Sequence, residues 1–288
     1  FAAIYRPLDR WAVRLADRVL TFSSDYKRWI EGIYSVDDVA VLAPGVEIPE
    51  SSPPVPQQLR SKIRPGESKV IVFVGKLVAW KNVDRLLHIT SLVARKVDSV
   101  KCLVVGDGPC MNPLRETVAR LKLEDRVVFT GYAGPEQVFS YLKLADVFVL
   151  LEQNVSFGLS LVEANSCGLP VLAFEGGGPT DIIEDGKNGY LLPKDASDLY
   201  IADRITALLQ DPAAQQEMSR YAKAASRNYT WKNFAEKFAA HAAELTAGPL
   251  GRSDSLRGQT KPPSLPDTTL QWGMTRSGNK FGRTEKPR

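Results

Sequence analysis

Two lysines five residues apart, Lys76 and Lys81, follow an apolar run that ends at Val74. Two ammonium groups in a loop that leads into a helix can neutralise a diphosphate, because the positive end of the helix dipole adds to their charge. Solvated surface charge is the simpler explanation of such a pair taken alone. The lysines are therefore candidate diphosphate ligands that need support from the rest of the chain.

Glycine-rich turns suited to anions follow several later apolar runs, since glycine lets the backbone approach a ligand closely. They lie at residues 106–109, 131–132, 156–159 and 175–181. The first resembles the start of the dinucleotide fingerprint, but GxGxxG needs a glycine where this chain has Met111. The incomplete fingerprint disfavours an NAD-dependent oxidoreductase, which remains a third alternative.

Glu163 lies one turn into the helix that follows the 156–159 turn. A carboxylate at that place can accept both hydroxyls of a ribose, as an acidic residue does in dinucleotide folds. A surface glutamate favoured by the helix dipole would explain it equally well. Several anion-friendly turns in one domain favour the ligand role.

The elements that must position these residues follow a regular pattern from residue 69 onward. Continuously apolar runs alternate with amphipathic segments, which predicts a parallel sheet covered by helices on both faces. We predict an α/β fold with a Rossmann-like, doubly wound sheet that binds its ligand at the carboxyl ends of the strands. The predicted strands are 70–74, 100–105, 126–130, 147–151, 170–174 and 189–192.

Composition divides the chain into four parts. Residues 1–50 read as helix, strand, helix and strand, and residues 51–68 as a linker whose prolines at 53, 54 and 56 interrupt either kind of element. Residues 69–246 hold the predicted sheet, a short helix at Thr180–Glu184 and three final helices, the first of which is predicted from Ala196. Since the chain lacks an initial methionine and a signal-peptide pattern, we expect its N-terminus to be a cut.

The net charge of +4 belongs to residues 247–288 rather than to the fold. From residue 251 onward there are eight Lys/Arg and three Asp/Glu, so the rest of the chain carries about −1. The segment is rich in Gly, Pro, Ser and Thr and cannot bury enough apolar surface to fold. We predict a disordered basic tail and no nucleic-acid partner.

Three cysteines without a CxxC pair and two histidines disfavour a disulfide framework and a metal centre, so we expect a cytoplasmic protein. Trp11 stands among Arg10, Arg14 and Arg18, a pattern that fits contact with a membrane surface. A buried tryptophan surrounded by solvated arginines is the simpler interpretation.

Taken in order, the motifs resemble those of the retaining, GT-B-fold glycosyltransferases of family 4. GKLVAWKNVDRLL at 75–87, VVGDGP at 104–109, FGLSLVEANSCGLPVLA at 157–173, GGPTD at 177–181 and GKNGYLL at 186–192 match successive family motifs. The resemblance covers about residues 15–245. It implies a two-domain enzyme of which residues 1–50 are a remnant of the N-terminal, acceptor-side domain.

The resemblance implies a role for each matched residue. Lys76 and Lys81 would be catalytic, neutralising the diphosphate of a nucleotide-sugar donor, and no metal would be required. Glu163 would bind the ribose. The other implied donor-binding residues are Gly75, Gly108, Tyr132, Phe157, Gly158, Leu159 and Asp181.

One position departs from the family pattern. The position of the first glutamate in the family's E-x7-E motif is occupied here by Val155, so the carboxylate that would contact the sugar ring is absent from this position.

The resemblance implies transfer to a glycan or lipid-linked acceptor, as in mannosyltransferases, with peripheral contact at the cytoplasmic face of a membrane. A nucleotide-sugar-binding fragment without catalysis is the second alternative.

Overall fold

Six parallel strands form the central sheet in the computed structural model, which describes residues 2–247. The predicted tail lies outside the described residues, apart from Ala247 at the end of the last helix. The strands are β1 Val19–Thr21, β2 Val39–Val41, β3 Lys69–Val74, β4 Val100–Val105, β5 Val127–Gly131, β6 Val147–Leu150, β7 Val171–Phe174 and β8 Gly189–Leu192. The helices are α1 Ala2–Leu15, α2 Ser24–Tyr34, α3 Gln57–Ile63, α4 Val83–Val93, α5 Met111–Arg120, α6 Pro135–Leu142, α7 Leu159–Ser166, α8 Gly178–Ile182, α9 Asp198–Gln210, α10 Pro212–Ser226 and α11 Trp231–Ala247.

The large sheet has the strand order β5-β4-β3-β6-β7-β8, and all of its neighbouring strands are parallel. The chain first builds outward from β3 to β5 and then returns to the other side of β3 with β6. This reversal between β3 and β6 is the topological switch point of a doubly wound sheet.

The strands at the centre are apolar because both faces of the sheet are covered. Every residue of β6 and β7 is buried, and β3 is buried from Val70 to Phe73. The helices pack in two groups, with α4 against α5 and α9, and α7 against α6 and α10. The predicted doubly wound α/β architecture is confirmed.

Local capping explains why several elements begin where they do. The helix predicted at Thr180–Glu184 instead begins at Gly178, because Pro179 suits the first turn of a helix. The helix predicted from Ala196 begins at Asp198, where the Ser197 side chain accepts a hydrogen bond from the Tyr200 N–H.

The predicted linker contains a helix that its proline-rich composition did not indicate. Residues Gln57–Ile63 form α3, and Ile63 is fully buried. Arg64 then makes a bidentate ion pair with Asp146, at 3.0 and 3.1 Å. Asp146 also accepts the Val70 N–H at 2.7 Å, so one carboxylate ties the linker to the starts of β3 and β6.

The first 50 residues form a two-stranded parallel sheet, β1–β2, with helices α1 and α2. The last helix returns to this region, and the Arg18 guanidinium lies 2.9 Å from the Glu244 carboxylate. Gly45 packs directly on the start of α11, where a Cβ would lie 2.2 Å from the Trp231 nitrogen.

The expected burial of Trp11 is wrong, while Arg10 and Arg14 are exposed as expected and Arg18 is partly buried. Trp11 is 66% exposed, whereas the Arg18 side chain is only 18% exposed because it pairs with both Asp38 and Glu244. The Arg18 guanidinium, and not the Trp11 ring, therefore makes the stabilising contacts at this place. No helix among residues 2–247 is both long and apolar enough to cross a membrane.

Candidate functional site

The candidate site lies at the carboxyl edge of the large sheet, on both sides of the switch point. We call residues 75–82, which follow β3, the β3 wall. We call residues 151–158 and 175–178, which follow β6 and β7, the β6–β7 wall. Ligands of doubly wound sheets bind in the crevice between such loops.

The two predicted lysines of the β3 wall differ in their surroundings. Lys76 is exposed, while Lys81 is partly buried and forms an ion pair with Glu152 of the opposite wall. Beside this pair, the Asn82 side-chain amide donates to the Leu151 carbonyl at 2.7 Å. The two walls are thus joined at their base, and the charge of Lys81 is offset by a carboxylate while that of Lys76 faces solvent.

Two of the predicted glycines serve the packing of loops. A Cβ on Gly108 would lie 2.4 Å from the Leu77 carbonyl oxygen, so only glycine lets the loop after β4 approach the β3 wall. Gly75 is approached in the same way by Gly106, whose Cβ would lie 1.9 Å from the Gly75 oxygen. These glycines shape the crevice through backbone contact.

The β6–β7 wall is made of two loops in close backbone contact. The Gly178 N–H donates to the Val155 carbonyl at 3.0 Å, and a Cβ on Gly178 would lie 1.8 Å from the Phe157 oxygen. Gly177 has φ +64°, a conformation that favours glycine, and its Cβ would lie 2.0 Å from the Val155 oxygen. The glycine turn after β7 is therefore required for the two loops to pack together.

The motif residues 157–159 lead this wall into α7. The Phe157 ring is buried and packs edge-to-face on Tyr229 at 5.6 Å, so its backbone is the part available to a ligand. Gly158 has φ +102° and begins α7 without a side-chain cap, and Leu159 is exposed. The uncapped helix start leaves backbone N–H groups directed at the crevice, an arrangement that favours anions.

Glu163 lies in the second turn of α7 and is largely shielded from solvent. Burial raises the pKa of its carboxyl group above the ordinary value of 4.5. The side chain of Val155, by contrast, is only 7% exposed and apolar. The position where the family pattern has its first glutamate thus presents no polar side chain.

Helix α2, from the first 50 residues, contacts the β6–β7 wall through its first turn. The Asp181 carboxylate accepts the Ser24 N–H at 2.6 Å, and the Asp25 carboxylate accepts the Gly177 N–H at 2.5 Å. The Tyr26 hydroxyl donates to the Asn154 carbonyl at 3.2 Å. Asp181 also borders a cleft of about 400 Å³ between this turn and α11.

Tyr132 is 79% exposed in the loop after β5. Strand β5 is separated from β3 by β4, which places the loop about 10 Å from the β3 wall along the sheet edge. The predicted site residues therefore span the edge from β5 to α8 and are brought together as one row of loops.

Sequence reasoning missed the contributions of Glu152 and of the first turn of α2. Ser24 and Asp25 have a complete local explanation as the start of a helix, with Ser23 as its cap. Glu152 precedes the motif by several residues. No local signal marks these side chains, because their partners lie far away in the chain.

A doubly wound parallel sheet with glycine turns, an exposed lysine and a shielded carboxylate at its carboxyl edge has the architecture of α/β proteins that bind ligands at a topological switch point. The chain belongs to the glycosyl transferases group 1 family, whose model matches residues 55–225. Family membership confirms the resemblance seen in the sequence and does not support the oxidoreductase alternative.

Curated relatives cover most of the chain. A D-inositol 3-phosphate glycosyltransferase from Corynebacterium diphtheriae is 32% identical over 212 residues, covering 70% of this chain and 49% of the relative. A GDP-mannose-dependent alpha-(1-6)-phosphatidylinositol monomannoside mannosyltransferase from Mycobacterium tuberculosis is 28% identical over 204 residues, covering 67% of this chain and 53% of the relative. The chain spans about half the length of these relatives.

Solved structures share the fold. A mutant of S. aureus TarM, in complex with Fondaparinux, alpha-GlcNAc-glycerol and UDP, matches with a TM-score of 0.67 at 25% identity, covering 77% of this chain and 43% of that chain. Anabaena HepE, in complex with UDP and glucose, matches with a TM-score of 0.73 at 22% identity, covering 85% of this chain and 68% of that chain. The predicted GT-B type of fold is confirmed.

Proposed function

We propose that this chain binds a nucleotide-diphosphate sugar along the carboxyl edge of its large sheet and forms the donor half of a retaining, family 4 glycosyltransferase. The observation that carries the proposal is the row formed by exposed Lys76, the uncapped start of α7 and the shielded carboxylate of Glu163. The complexes of similar proteins with UDP support the same ligand class.

Glu163 is proposed to bind the ribose. A carboxylate accepts hydrogen bonds from two hydroxyls at once, and such bonds are strong where water is excluded. Burial raises the pKa of the free carboxyl, and two donated hydrogen bonds would favour its ionised form. Ribose binding would therefore supply the partners that the shielded Glu163 needs.

The diphosphate is proposed to lie between Lys76 and the N-terminus of α7. Backbone N–H groups at Gly158 and Leu159 and the helix dipole attract the phosphate oxygens, while the Lys76 ammonium group supplies a full charge. Lys81 adds to the local potential with Glu152 as its partner. Charge on the departing diphosphate would be stabilised by these groups, so the proposal assigns no role to a metal.

The ends of the donor extend in opposite directions from the switch point. An elongated ligand along the strand edge would place its base near Gly108 and Tyr132, and its sugar near Gly177 and Asp181. Exposed Tyr132 offers an aromatic surface at the base end. The acceptor is proposed to be a glycan or a lipid-linked glycan at the cytoplasmic face of a membrane. The name of the matched phosphatidylinositol monomannoside mannosyltransferase supports a lipid-linked acceptor.

Donor binding without transfer is the second candidate function. The apolar, buried side chain of Val155 favours it, because the motif position nearest the sugar lacks a carboxylate. Transfer itself separates the two candidates: a binding-only protein would hold the nucleotide sugar without releasing nucleoside diphosphate in the presence of any acceptor.

Calorimetric titration of the chain with GDP-mannose, UDP-glucose, ADP-glucose and NAD tests the proposal. We expect one nucleotide sugar to bind and NAD not to bind. For the matching nucleoside diphosphate, Glu163→Gln should lower affinity about tenfold and reduce the preference over the 2′-deoxy form, because a charged acceptor for the ribose is lost.

Glu175→Gln is the matched control, since Glu175 is an exposed carboxylate beside the glycine turn. It should leave the preference for ribose unchanged. Binding of NAD without binding of any nucleotide sugar would overturn the proposed function. An unchanged affinity in Glu163→Gln would remove this residue from the ribose site.

A further inference from the structure

The glycine turn at the sugar end of the proposed site offers no side chain that can recognise hydroxyl groups, and the Asp181 carboxylate beyond it already accepts the Ser24 N–H. On the β6–β7 wall, residues 176–178 are glycines, Val155 is apolar and buried, and the Val155 carbonyl is already used by the Gly178 N–H. This wall offers shape and backbone at the glycine turn. Selectivity for a hydroxylated sugar therefore needs a side chain from another element.

Asp25 in the first turn of α2 supplies a carboxylate at this place. Its Oδ2 atom accepts the Gly177 N–H at 2.5 Å, and its Oδ1 atom pairs with Arg28. The same oxygen, Oδ2, lies 3.6 Å from the position of a Cβ on Gly176. The carboxylate is thus held beside the glycine turn, where the Lys194 Nζ atom lies 3.2 Å from the same Cβ position.

The carboxylate of Asp25 retains capacity for a ligand. An ionised carboxylate offers about four lone-pair sites, and Gly177 and Arg28 use one on each oxygen. Its side chain is 27% exposed, so solvent and a ligand can reach it. Sugar hydroxyls are hydrogen-bond donors, for which a carboxylate is a strong acceptor.

We propose that Asp25 is a specificity-determining residue that binds hydroxyl groups of the donor sugar, so that the first 50 residues complete a donor site built mainly by the large sheet. This inference rests on the proposed function. It assigns a role in sugar recognition to α2 at a site where the motif position occupied by Val155 presents no carboxylate.

Asp25→Asn in the full chain tests this assignment. The amide keeps an oxygen that can accept the Gly177 N–H, so the contact between α2 and the glycine turn is retained while the charge is removed. We expect affinity for the nucleotide sugar that binds wild type most tightly to fall about tenfold, with less than about a twofold change for the matching nucleoside diphosphate.

Glu31→Gln is the matched control, because Glu31 lies on the same helix and its ion pair within the described residues 2–247 is with Lys27, at 3.7 Å. It should change neither affinity. The unfolding midpoint of Asp25→Asn should stay within about 2 °C of wild type, which separates ligand recognition from a purely structural contact.

Two results would overturn the role of Asp25 while leaving the proposed function intact. One is an unchanged affinity for the nucleotide sugar in Asp25→Asn. The other is an equal loss for the nucleotide sugar and the nucleoside diphosphate, which would show that Asp25 only holds α2 in place. If no nucleotide sugar binds the wild-type chain, the proposed function fails and this inference fails with it.

Discussion

The β3 wall brings two lysines to the crevice, whereas the β6–β7 wall is held together by close contacts of its backbone. Lys76 is exposed on the first wall, and Lys81 reaches across to Glu152. On the second, Gly177 and Gly178 lie so close to the loop after β6 that a Cβ would be 2.0 and 1.8 Å from backbone oxygens. The exposed Lys76 of the first wall can be exchanged with little effect on folding, while Gly177 and Gly178 of the second cannot.

This difference predicts which substitutions change stability and which change binding. The two loops of the β6–β7 wall cannot move apart easily, because hydrogen bonds and the ends of buried strands hold them in place. The charges of the β3 wall act on a ligand through solvent, so their contribution to binding depends on ionic strength.

Gly178→Ala is expected to have the largest effect. Its Cβ would overlap the Phe157 backbone, so the two loops must separate, and we expect a loss of about 2–3 kcal/mol in the free energy of unfolding. Urea unfolding measures this. Gly134→Ala is the control, since a Cβ there meets no atom within 4 Å and the change should cost less than about 0.5 kcal/mol. Equal stability of the two variants would contradict the close packing of the wall.

Lys76→Gln is expected to have the next largest effect, on binding alone. Removing its charge should weaken nucleoside diphosphate binding about tenfold at low salt, because an ammonium–phosphate contact is lost. The difference from wild type should shrink as salt is raised, and the free energy of unfolding should not change. Titration at two salt concentrations measures this.

Lys232→Gln removes the same charge from an 83% exposed side chain on α11 and serves as the control for Lys76. If both lysine variants lose affinity equally, the effect is one of net charge, and Lys76 has no specific place in the site.

Glu152→Gln is expected to have the smallest effect. Glu152 offsets the charge of Lys81 and repels an anion in the crevice, so its removal should strengthen nucleoside diphosphate binding about threefold. Titration with the nucleoside diphosphate and with the nucleoside alone measures this, and only the former should respond. A weaker diphosphate affinity would show instead that Glu152 holds Lys81 in its binding position.

Much of the fold was predictable because its signals are local. The apolar runs at 70–74 and 100–105 match β3 and β4 to within one residue, since a strand covered on both faces has to be apolar throughout. The helix α3 was missed because its neighbouring prolines dominate the local pattern, while its anchor, Ile63, is buried by distant residues.

Only some residues of the candidate site could likewise be predicted from the sequence. The glycine turns and Glu163 are visible in the sequence because backbone conformation and position on a helix restrict residue type locally. The partner of Lys81 and the place of Asp25 are not visible, since a carboxylate near a helix start or after a strand satisfies local rules wherever its distant partner lies.

The sequence by itself determined the doubly wound sheet, the sheet edge that carries the candidate site and the family. These follow from periodicity, from glycine positions and from motif order along the chain. Only the tertiary structure decided that Lys81 is paired, that Arg18 and not Trp11 is shielded, and that α2 contacts the glycine turn through Asp25. Each of these depends on groups more than 60 residues apart in the chain, whose proximity is set by how strands and helices pack and not by any local pattern.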